Sequence, residues 1–319
     1  MSYAQYGAIQ ALDFNTLVGT NPNTTSGKLN TVWSTGGSTA GYGQTALAQV
    51  SSGNGVAAIS QWANLVTYTN NCASHQGTSI TSVTTPASGA AVSSLSGLPT
   101  NITTIYAPRL NAATQGSTTA NTATTVATWS ANAIFTHTVT FANGDAARYF
   151  FNSGGQLKVT CAHANAATGI NLLFNNLASN VGTVVLSAPS TGTVTIASTS
   201  YSGVQKVGGG GTTPTILPNN GYYALTTSNA NVFTQLASTG PSTYLSTFIR
   251  IIAKSNGANV SGNLDAGSVI TLYTVWDEVP DGLVVGSGST TTVTAQIPET
   301  TYLSNSWGTI TIAGSVVVA

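Results

Sequence analysis

The sequence predicts a mainly β protein. A mixed helical and extended N-terminal part, residues 1–130, is followed over residues 131–319 by an antiparallel β-sandwich of jelly-roll kind with one packed helix. Three observations lead there. Apolar residues recur at helical spacing around Trp62 but at every second position from Phe135 onward. Short alternating segments then follow one another, separated by turn residues, as in sandwiches. No short internal repeat is present, which disfavours solenoids, β-helices and propellers.

In order along the chain, a weaker helix is expected over residues 15–17 or 28–33. The best helix covers residues 56–66, where Val56, Ile59, Trp62, Ala63 and Val66 share one face and Asn54 is available as N-cap. Trp62 reads as core. Residues 111–128 are a low-complexity Asn/Ala/Thr run, either a linker or an extended segment supported by a partner, and the domain boundary falls at its end.

Phe135, His137, Val139 and Phe141 then alternate with threonines as a half-buried strand, and Leu157, Val159, Cys161 and His163 do the same. Further strands are expected over 192–197, 246–253, 269–277, 290–297 and 309–313. A helix through Ile170, Leu173, Phe174 and Leu177 interrupts them and is expected to plug an open end or face of the sandwich. Between the first two strands, Asn143-Gly144-Asp145, the aromatics Tyr149, Phe150 and Phe151, and Gly154-Gly155 read as a hairpin with a bulge, Arg148 pinning its turn through Asp145.

Charge is the anomaly of the composition. Seven basic residues (Lys28, Arg109, Arg148, Lys158, Lys206, Arg250, Lys254) and seven acidic ones make 4% charged residues and a net charge of zero, where soluble domains carry about a quarter. Such a surface has almost no charge repulsion, which suits faces covered by neighbours. A secreted, low-charge adhesin is the alternative from composition. The scattered cations argue against nucleic-acid binding, which needs clustered Lys and Arg. Neither an export signal nor a membrane span is indicated. Cys72 and Cys161 are too few for a disulfide framework and fit synthesis in a reducing compartment, with a single bridge between them left open.

Chemistry-bearing patterns are sparse. Cys72 with His75, Cys161 with His163, and His137 invite a zinc site, yet Cys161 and His163 share their strand face with Leu157 and Val159, so core cysteine and satisfied histidine is the favoured reading. Asp277, Glu278 and Asp281 could bind calcium or supply carboxylates for glycan cleavage; they read first as a charged turn, with no second acidic cluster or nucleophile motif beside them. Gly208 to Gly211 lacks the Gly-Lys-Ser/Thr of a phosphate loop. Sequons at Asn23, Asn101 and Asn259 are chance-level in so Asn- and Thr-rich a chain. No catalytic residue, metal site or cofactor is therefore expected, and no enzyme.

The segment from Phe141 to Val159 resembles a group of uncharacterised virion structural proteins of tailed phages, notably contractile-tailed phages of cyanobacteria and marine bacteria. The resemblance also takes in Ile9-Gln-Ala-Leu-Asp13-Phe-Asn15, Gly41-Tyr-Gly-Gln44, the Trp62 helix with His75-Gln76, Leu172 to Leu186 with Asn180-Val-Gly-Thr-Val-Val, and Gly221-Tyr-Tyr-Ala-Leu-Thr-Thr227. Together these span about two thirds of the chain in a fixed order, and Pro298 to Gly308 is compatible with them. This chain is poorer in Lys and Glu than that group.

What the resemblance implies is a particle component, tail-associated in a fibre, baseplate or neck-collar position, its N-terminal region docking to the particle. Its expected partners are other virion proteins and copies of itself in a symmetric homo-oligomer, without nucleic acid or membrane, after assembly in the host cytoplasm. The alternatives are a capsid decoration protein and a receptor-binding fibre module. The latter would take a host surface glycan on Trp276, Trp307, Tyr222 and Tyr223.

Overall fold

The structure, a computed structural model, describes residues 11–37, 39–51, 59–85, 96–164, 169–211, 214–238, 244–257, 267–279 and 282–319. Among the described residues four helices come first: α1 (Ala11–Val18), α2 (Leu29–Val32), α3 (Ile59–Gln76) and α4 (Leu98–Thr104). Both sites offered for the weaker helix are thus helical. The helices bury Phe14, Leu17, Leu29, Val32, Trp62, Leu65, Leu98 and Ile102 in one cluster with Tyr42 and Leu47. Trp62 is core as expected, with Phe14 edge-on at 5.2 Å between centroids; Asn54 and Val56 lie outside the described residues.

Helix α3 runs ten residues past the expected end at Val66. The same stripe continues through Thr69, Cys72, His75 and Gln76, all buried. Those residues are small or polar, so an apolar count loses them. Hydrogen bonds compensate: Thr69 Oγ1 donates to the Leu65 carbonyl (2.8 Å), and Gln76 Nε2 to the Tyr42 hydroxyl (2.8 Å) and the Ile105 carbonyl (3.1 Å). Gly77, at φ +68, then ends the helix in the left-handed region that favours glycine.

Large antiparallel sheets follow. One has the order β1 (Gln115–Thr124), β12 (Ser289–Pro298), β3 (Gln156–His163), β4 (Thr183–Leu186), β7 (Val204–Val207). The other runs β13 (Thr311–Val318), β2 (Asn132–Thr140), β11 (Val269–Asp277), β10 (Phe248–Ser255), β9 (Ala230–Leu236), β8 (Thr215–Ile216). A small β5 (Val194–Ile196) and β6 (Thr199–Tyr201) pair stands beside them. Phe135, Leu272, Ile251 and Phe233 of the six-stranded sheet share one core with Leu157, Val159, Val184 and Val293 of the five-stranded one.

The early strands pair with the late ones: β1 and β3 flank β12, and β2 lies between β11 and β13. The low-complexity run supplies β1, from Gln115↔Pro298 to Thr124↔Thr290, so its extended form is supported from within the chain. Sequence alternation is reproduced where it was clearest; β2 buries Ala133, Phe135, His137 and Val139 and turns Ile134, Thr136 and Thr138 outward.

The expected hairpin is a correction. Residues Gly144–Asn152 form helix α5. Asn143, taken as a turn residue, is its N-cap and accepts from Ala146 N at 2.8 Å. Asp145 sits in the first turn, where a carboxylate favours the helix dipole, and Arg148 reaches back to it at 3.0 Å, an i,i+3 pair on a helix. Phe150 and Phe151 are buried, so their bulk decides burial and not strand geometry. Gly154, at φ +85, takes the positive φ expected of it, and a Cβ there would strike the Ala112 side chain.

Helix α6 (Gly169–Val181) buries Leu173, Phe174, Leu177, Ala178 and Val181. It touches β3 of one sheet and β9 and β10 of the other, closing the space between them as the sequence suggested. Phe174 meets Trp129 at 4.9 Å and Trp276 at 5.8 Å.

Candidate interaction surface

The structure separates the residues in which chemistry was sought. Cys72 and Cys161 are both free. His75 Nε2 lies 3.2 Å from the Ser153 carbonyl, and burial pushes its pKa down to about 4. His163 has both ring nitrogens engaged, Nδ1 with Ser289 Oγ (3.0 Å) and Nε2 with Asn171 Oδ1 (3.1 Å). Burial pushes the Cys72 thiol up and the Cys161 thiol up to about 12, so neither is a ready thiolate ligand. His137 faces inward from β2, against the Asn121 backbone, and burial lowers its pKa. Among the described residues no three His, Cys, Asp or Glu side chains come together to hold a metal ion.

Glu278 is fully buried and accepts from Gly282 N (3.1 Å) and Leu283 N (3.2 Å), stapling the loop after β11. Asp281 lies outside the described residues, as does Asn259. Lys206 Nζ folds back onto the Gly210 carbonyl at 3.0 Å, which occupies the glycine loop with its own cation. Asn101 is buried, its amide bonded to Thr81 on both sides (3.0 and 2.8 Å), and is no glycan acceptor in the folded chain. Trp276, Trp307, Tyr222 and Tyr223, offered as sugar platforms, are a correction: all four rings are buried in the core between the sheets and present no face to a ligand.

Each of the seven cations is engaged by its own chain. Arg148, with no exposed surface, holds Asp145 and donates to the Ala40 carbonyl at 2.7 Å. Arg109 binds the Thr39 and Tyr106 carbonyls; Lys28 donates to the Thr16 carbonyl; Lys158 and Lys206 reach the amide oxygens of Gln296 and Gln235. Arg250 lies 4.2 Å over the Phe248 ring, and Lys254 Nζ 5.5 Å over Tyr273.

What is left outside is a nearly neutral sheet face. Strand register aligns Arg250, Val275, Ile134 and Val317 in one row across β10, β11, β2 and β13, and Ile252, Tyr273, Thr136 and Ser315 in the next. Leu236 and Phe248 stand opposite each other at the end of β9 and β10. These side chains alternate with the buried set and so share the outward face; Val317 is 69% and Leu236 47% exposed. The alternation predicts the strands but not this face, because a single row joins residues 134, 250, 275 and 317, and only register brings them together. Among the described residues no helix is long and apolar enough to cross a membrane. Comparisons with protein-family models, with curated proteins and with solved structures find no match to this chain.

Proposed function

We propose that this chain is a non-enzymatic structural component of a tailed-phage particle, tail-associated in a fibre, baseplate or neck-collar position, acting through interfaces with its own copies and with other particle proteins. The observation that carries the reading is the outward face of the six-stranded sheet. Aliphatic and aromatic side chains there run in rows across four strands, and both cations on it are laid over rings. Contiguous apolar surface of this kind marks association sites. With net charge at zero, nothing long-range opposes the approach of another copy. The nested pairing of early with late strands supports the finer architectural reading, a sandwich of jelly-roll kind.

The test is cryo-electron microscopy of purified particles encoded by the same genome, with sedimentation of the isolated chain. Density for the chain in the tail, and self-association abolished by Ile134→Lys with Val275→Lys, are the expected results. Density on the head would replace the tail assignment with capsid decoration. Absence from the particle, or a monomer at every concentration, would overturn the proposal.

A further inference from the structure

We propose that the groove between α3 and the loop joining β12 to β13 is a binding site for a neutral carbohydrate. This goes beyond the assembly reading and does not depend on it. The groove has a volume of about 620 Å3, inside the range of roughly 300–1,000 Å3 usual for small-ligand sites. Trp33, Tyr68 and Tyr302 border it with Gln44, Asn71 and Asn305, and the hydroxyls of Thr45, Thr300, Thr301 and Ser304 complete the polar wall. None of these side chains is charged.

The walls are held before any ligand arrives. Gln44 Nε2 donates to the Ser304 carbonyl (2.9 Å) and its Oε1 accepts from Ser304 N (2.8 Å), fixing the loop against the N-terminal part. Leu303 is buried in the helical cluster. Asn305 Oδ1 accepts from Gly308 N (2.8 Å), and Glu299 accepts from both the backbone N–H and the hydroxyl of Thr301. On the opposite wall Trp33 donates its indole N–H to the Thr45 carbonyl (2.9 Å) and stacks on Tyr68, centroids 4.3 Å apart and planes at 8°. A preformed site binds without an ordering cost.

The free groups point to the ligand class. The side chains of Thr45, Tyr68, Asn71 and Tyr302 make no hydrogen bond within the described residues, and Tyr302 is 39% exposed. A pyranose offers apolar C–H faces to aromatic rings and a rim of hydroxyls that both donate and accept, matched by amides and phenols that do the same. A phosphorylated ligand would need a cation, and no cation borders the groove. A peptide would need an open strand edge or apolar side-chain pockets, and among the described residues the one aliphatic side chain at the groove, Leu303, is turned into the core.

The experiment is saturation-transfer NMR on the full chain with methyl glycosides of glucose, galactose, mannose and N-acetylglucosamine, N-acetylneuraminic acid as the anionic comparison, and a random peptide library. At least one neutral glycoside is expected to bind in the millimolar range. Tyr302→Ala and Asn71→Ala should each weaken it tenfold or more, with the melting temperature unchanged. Binding that survives both substitutions, binding of the acidic sugar alone, peptide binding without glycoside binding, or no binding at all would each overturn the proposal.

Discussion

Gln44 and Ser304 exchange two hydrogen bonds, side-chain amide to carbonyl at 2.9 Å and backbone N–H to side-chain oxygen at 2.8 Å, across 260 residues of sequence. A third bond nearby, Ser306 Oγ to the Tyr42 carbonyl, reinforces the same join between the N-terminal helices and the loop before β13. Gln44 is buried and Ser304 exposed, so loss of Gln44 removes two part-buried bonds whose Ser304 ends water can still reach. Gln44→Ala is expected to lower unfolding stability by about 2 kcal/mol, read by urea denaturation. Gln44→Glu keeps the acceptor but turns a carboxylate oxygen onto the Tyr42 and Ser304 carbonyls, and should cost at least as much as Gln44→Ala.

Arg148 and Asp145 form one ion pair with unequal stakes. The guanidinium has no exposed surface and also serves the Ala40 carbonyl, whereas the carboxylate is 48% exposed. Arg148→Ala therefore removes packing and strands a buried carbonyl, at a cost on the order of 3 kcal/mol. Asp145→Ala removes a half-exposed carboxylate but leaves the buried guanidinium on the Ala40 carbonyl without a counter-charge, at a smaller cost of about 2 kcal/mol. Equal costs in denaturant titrations would contradict this division.

His75 makes the fold acid-sensitive. Its pKa of about 4 in the folded chain lies below the ordinary value of 6.5, so the unfolded chain binds the extra proton. The contribution is fully present above pH 6.5 and is lost as pH falls toward 4, amounting to about 3 kcal/mol at most. The melting temperature of the wild-type chain should decline through that window, and His75→Gln should decline less steeply. Parallel profiles for the two proteins would refute the assignment.

Legibility tracked the kind of signal involved. Strands β2, β10, β11 and β12 were readable because one face of each is buried and the other is not, which prints a period of two on the residues. Strand β9 and the short β4 and β7 are not legible, since four residues hold too little periodicity and β9 carries a register shift between Ile251 and Ile252 of its partner. Helix α5 was misread because Asn-Gly-Asp serves a hairpin turn and a helix start equally well. At the groove, Gln44 and Thr300 to Asn305 belong to segments distinctive in the sequence, but nothing local marks Tyr68, Asn71 and Tyr302 as neighbours.

The residues by themselves determined the succession of helical and alternating segments, the buried place of Trp62 and the scarcity of charge, because periodicity and composition are written locally. Only the tertiary structure decided which aromatic rings meet solvent. Trp276, Trp307, Tyr222 and Tyr223 are closed off in the core, while Tyr68 and Tyr302 border a groove. Exposure of a ring depends on whether a second element covers the face it lies on, and those covering elements come from distant parts of the chain.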